Sequence, residues 1–226
     1  MLDLDDAIAR LYVAFSAVPK PHAIDGCPCC LGSEEIETLL AKPLWDLGAA
    51  DLSFYAADAF LTLGSQADYL YFLPRILEIT ATQPSWTPDF EMTARAVRSS
   101  EPATWTASQR TALDDYLMSM LGKALRAGGR PDIDSVVCAV GRMGREVRPH
   151  LAEIAKSPAA VLSYFEANVD DLQRNRLGNA FWEVPCPAHD AVVDWFFSDE
   201  IAKIPFDAYG CAVTRPAAQD PGERPT

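Results

Sequence analysis

The segment Cys27-Pro28-Cys29-Cys30 holds the densest set of reactive side chains in the chain. Cys27 and Cys30 have the Cys-x2-Cys spacing with which two thiolates grip one zinc ion from a tight turn. Gly26 and Pro28 favour such a turn. A second half-site stands far down the chain in Cys186-Pro187-Ala188-His189, a Cys-x2-His spacing. Joined, Cys27, Cys30, Cys186 and His189 would make a tetrahedral site of three thiolates and one imidazole with no open position, which is structural chemistry. Cys29 or His22 can stand in for one member. The same spacing also admits a redox pair, a disulfide at Cys27 and Cys30, or ordinary thiols in a turn. A thioredoxin-like reading needs strands beside the motif, and none is predicted.

Other groups are weaker. Arg142, Arg145 and Arg148 repeat every third residue before His150, so a helix there would gather three guanidinium groups for a phosphate or an acidic partner. Gly144 and Pro149 work against that helix, and the simpler outcome is a solvated face paired with Glu146 or Glu153. Glu34, Glu35 and Glu37 are explained by the dipole at a helix start rather than by catalysis. P-loop, dinucleotide, zinc-protease and nucleophile-elbow motifs do not occur. With three histidines only, few arrangements could activate a serine or cysteine. No catalytic or cofactor-binding residue is therefore assigned, and non-enzyme readings are preferred.

These residues must be positioned by helices. The chain holds 34 alanines among 226 residues, and period-2 runs of Val, Ile and Thr are missing. The spacing predicts helices over 3–17, 34–42 and 49–63, with Asp3, Ser33 and Gly64 as ends. A Pro74 kink is expected inside the next helix, and Pro88 is expected at the first position of the one after it. Thr106-x2-Gln109 predicts a capping box opening a long helix to Ala127. Further helices fall at 133–142, 149–156, 158–168 and 188–203. Trp45, Tyr55, Phe60, Tyr69, Tyr71 and Phe72 read as core, while Trp86, Trp105, Trp182 and Trp195 are candidates for exposed anchors. The predicted fold is all-α, an irregular helical bundle or a HEAT-like stack of antiparallel pairs. One domain is drawn over 1–210, with a mobile tail over 211–226.

The formal net charge is −13, which disfavours non-specific nucleic-acid binding. Ten acids oppose Arg10, Lys20 and Lys42 in residues 1–60. An acidic face of that kind attracts a basic partner and speeds encounter. No apolar run reaches the roughly 18 residues of a membrane span, and the acidic first ten residues do not read as a leader. A cytoplasmic setting with reduced thiols is expected, and Cys138 reads as a buried core thiol.

Residues 27–78 carry a resemblance. Cys27-x2-Cys30 is followed by Pro43-Leu44-x2-Leu47, Asp51-Leu52-x2-Tyr55-Ala56 and Thr62-x-Gly64. Asp68-Tyr69-x2-Phe72-Leu73-Pro74-Arg75-Ile76-Leu77-Glu78 completes it. This pattern resembles an uncharacterised family of small helical bacterial proteins. The resemblance implies a helical fold and a bacterial source, and no catalytic residues. The leading expectation is an acidic protein-binding module, such as an immunity-type inhibitor of a basic toxin. The alternatives are an enzyme or small-molecule binder with a pocket near the Cys27–Cys30 loop, between 22–37 and 182–195, and a structural protein with a zinc clasp only.

Overall fold

A computed structural model describes residues 2–24, 26, 32–83, 85–127 and 132–210. The chain is all-α, an irregular helical bundle with no strand among the described residues. Its helices gather into two compact units, 1–146 and 147–226. The expected tail over 211–226 lies outside the described residues.

The first unit holds α1 (Leu4–Phe15), α2 (Ser33–Ala41), α3 (Ala49–Asp58), α4 (Gln66–Thr82), α5 (Phe90–Ser99), α6 (Ala107–Ala127) and α7 (Ile133–Arg142). Asp3 caps α1 by accepting the Asp5 amide, as its side chain predicts. Ala7, Ile8, Leu11 and Phe15 then form one buried stripe. That stripe packs against α6 and α4. The expected capping box opens α6: the Gln109 amide donates to Thr106 Oγ1 at 3.3 Å, and the Thr106 amide donates to Gln109 Oε1 at 3.0 Å. Helices α5 and α7 pack together, and α7 also lies on α6. Cys138 is buried within α7, as expected.

Several boundaries differ from the sequence reading. Gly32, not Ser33, precedes α2, because the Glu35 carboxylate accepts the Gly32 amide at 2.6 Å. Pro88 sits before α5 rather than inside it, because the Asp89 side chain takes the Met92 amide and becomes the cap. Helix α4 runs unbroken through Pro74, which is buried. Helix α3 ends at Asp58, five residues before its predicted end. The chain there turns through Phe60 (φ 63°) to Gly64 (φ 73°), closed by the Phe60 amide on the Leu63 carbonyl.

The second unit holds α8 (Arg148–Ile154), α9 (Pro158–Glu166), α10 (Val169–Leu172), α11 (Pro187–Phe196) and α12 (Asp199–Tyr209). Helix α12 packs on α9, and α11 packs on α8 and α12. The predicted helix over 188–203 is two helices, with Ser198 and the acids Asp199 and Glu200 restarting the second.

Candidate interaction face

Lys42 begins the connection from α2 to α3 and donates to both oxygens of Asp51, at 2.9 and 2.8 Å. Asp51 also accepts the Gly48 amide at 2.8 Å, so one carboxylate caps α3 and ties it to the end of α2. These donors hold its pKa below the usual carboxylate value, the Lys42 bond contributing most. A depressed pKa means that this stabilisation is present above the unfolded value near 4 and is lost as pH falls through the folded one. Asp51→Ala is expected to cost about 1 kcal/mol at pH 7 and little once the carboxylate is protonated; urea titrations at several pH values check this.

Arg75 on α4 holds the next piece. Its Nε donates to the Leu47 carbonyl at 2.7 Å, and its guanidinium meets Glu78 at 2.7 Å. Tyr12 of α1 donates to the same Glu78 at 2.5 Å. Burial, reinforced by Glu78, raises the Tyr12 pKa, so its hydroxyl stays a donor. This cluster pins the 3-10 turn Leu44–Asp46 against α4, with Leu47 fully buried.

The turn thereby holds Trp45 outward, 69% exposed. The sequence reading placed Trp45 in the core. A three-residue 3-10 turn has no apolar face of helical period, so the stripe argument does not apply to it. Phe54 on α3 is 58% exposed, and Leu61 in the following turn is 63% exposed. Arg95 of α5 donates to the carbonyls of Ala57 and Ala59 and so closes the end of α3 before Leu61.

The stretch of sequence that carries these side chains is acidic. Between residues 32 and 61 stand Glu34, Glu35, Glu37, Asp46, Asp51 and Asp58, against Lys42 alone. Lys42 is already paired with Asp51. Glu34, Glu37 and Asp46 are exposed. The stretch thus combines exposed apolar side chains with an excess of acid, while Lys20 bonds the Lys42 carbonyl at 2.9 Å.

Gly26, just before the cysteines, forms an antiparallel bridge with Leu63. A methyl group added there would meet Leu63 Cδ2 at 2.4 Å. The Thr62-Leu63-Gly64 turn is thus the docking point of the chain entering the cysteine segment. Cys27, Cys29 and Cys30 lie outside the described residues, and so does any pocket they line. His22 is exposed.

In the second unit, Cys186 stands partly exposed at the N-cap position of α11 without a side-chain capping bond, and His189 is buried in the same helix's first turn. His189 Nδ1 lies 3.1 Å from Asp190 Oδ1, and its ring meets Trp182 edge-on at 5.8 Å. No group of three or more metal-ligating side chains occurs among the described residues. Trp182 and Trp105 are buried rather than exposed, and Trp86 and Trp195 are half-buried; Trp45 is the tryptophan that stands exposed.

The arginine trio does not assemble as one helical row. Arg142 ends α7, Arg148 begins α8, and Gly144 (φ 70°) breaks the helix between them. Arg145 instead grips Asp114 of α6 through Nε at 2.8 Å and a second nitrogen at 2.5 Å.

No protein-family model matches this chain, and neither does any curated protein or solved structure. Leu47, Asp51, Tyr55, Gly64, Arg75 and Glu78 build the platform that presents Trp45 and Leu61.

No helix among the described residues is long and apolar enough to cross a membrane.

Proposed function

We propose that this chain is an acidic protein-binding module, and in its most specific form an immunity-type inhibitor that covers a basic toxin in a bacterial cytoplasm. The observation that carries the reading is Trp45 and Phe54 standing exposed in a stretch, residues 32–61, where six acids face one lysine. Large aromatics in a negative field supply the apolar centre of an interface, and the acids supply steering. The module has no need of a nucleic acid or a membrane. The test is capture from the source organism's lysate on the immobilised chain, with Trp45→Ala/Phe54→Ala as the control, followed by identification of what only the parent retains. A basic protein held by the parent and released by the variant is expected. A neutral or acidic protein, or one held equally by both, overturns the reading.

A further inference from the structure

Helices α1 and α6 run antiparallel. Ser119 donates to the Leu2 carbonyl at one end, and Phe15 meets Trp105 at the other. Their outer surfaces enclose an open groove of about 720 Å³ whose lining is mostly apolar. Small residues, Ala9 and Ala14 from α1 and Ala107 and Ala112 from α6, leave room for another backbone to approach. Val13 rises on one wall and is 75% exposed, the most exposed large apolar side chain among the described residues. It is not needed by the core, which α1 fills from its opposite stripe.

The groove is electrically lopsided. The end at Val13, Ala107 and Ser108 carries no charge. The opposite end carries Asp6 and Asp115. Arg10 spends its charge on Asp115, at 2.8 Å. Asp6 has no ion pair among the described residues, and Asp3 and Asp5 stand beside it in the sequence without a neighbouring cation. Seven residues separate Asp6 from Val13, which is two helical turns, about 10 Å along the axis.

We propose that this groove is a docking site for an amphipathic helix of a partner protein, one bearing a lysine or arginine two turns from a small apolar contact residue. The apolar residue packs between Val13 and the alanine floor, and the cation meets Asp6. A helix laid in a groove displays one face at i, i+3, i+4 and i+7, and the i to i+7 separation matches Asp6 to Val13. The site is independent of the acidic face around Trp45 and Phe54.

The test is selection of binders from a displayed library of three-turn amphipathic helices, random on one face, against the intact chain. Enriched sequences are expected to pair a basic residue with a small apolar one seven positions away. Val13→Glu, at an exposed position that leaves the fold intact, is expected to weaken them at least about tenfold. Asp6→Asn is expected to weaken them less and to flatten their salt dependence. Phe54→Ala is expected to leave them unchanged. Failure to enrich any helix, enrichment of acidic or uncharged ones, or equal binding to Val13→Glu overturns the proposal. A concentration-dependent dimer of the chain abolished by Val13→Glu also overturns it, by giving the groove to a second copy.

Discussion

Gly64→Ala is expected to lower stability by about 2–3 kcal/mol, well beyond the usual cost of a surface substitution. Two effects add. Gly64 has φ 73°, where a Cβ alone costs about 1 kcal/mol. The new methyl would also stand 2.9 Å from the Tyr55 hydroxyl and 3.2 Å from its ring. Tyr55 is fully buried and packs edge-on against Phe72 at 5.0 Å, so it has nowhere to swing. Gly144→Ala is the control. Its φ of 70° carries the same backbone cost, but the atoms its methyl would meet belong to the exposed Arg98 guanidinium, which can move aside. About 1 kcal/mol is expected there. Urea midpoints for the two variants separate the strain of the turn from the overlap with Tyr55. Equal losses would mean that Tyr55 yields and that the platform under Leu61 is softer than described.

The second large effect is on binding. Trp45→Ala and Phe54→Ala are each expected to weaken the captured partner by about 2 kcal/mol, roughly thirtyfold. Both side chains are mostly exposed, so stability should move by no more than about 0.5 kcal/mol. The pairing of a large binding loss with an unchanged Tm is what separates an interface anchor from a core residue. A fallen Tm with intact binding would place these aromatics in the fold's own packing instead.

How much of this was legible in the sequence depends on which physical signal each feature leaves. The all-α class was legible because buried stripes such as Ala7, Ile8, Leu11 and Phe15 leave a 3.6-residue period. The Thr106–Gln109 box was legible because both partners lie within one turn. Helix ends that depend on competing caps were not, as at Gly32 and Asp89, where a side chain three residues on, or one residue later, takes the orphan amide. The end of α3 was not legible because the helix stops at a positive φ at Phe60, beside carbonyls held by Arg95 from a helix some 36 residues on, a contact no local pattern encodes. Trp45 was misread because its neighbours suggested a helical stripe where a 3-10 turn stands. The Tyr12–Glu78–Arg75 cluster spans 66 residues between its ends, a separation that no local pattern encodes. The excess of acid in residues 32–61 was legible because it is a property of composition.

The central claim, a negative face built to meet a basic protein, is tested most directly by the association rate of the captured partner across ionic strength. The rate is expected to fall at least about tenfold from low to high salt, with a smaller fall once Glu34, Glu37 and Asp46 are made amides. A rate that ignores salt in the parent chain would contradict it.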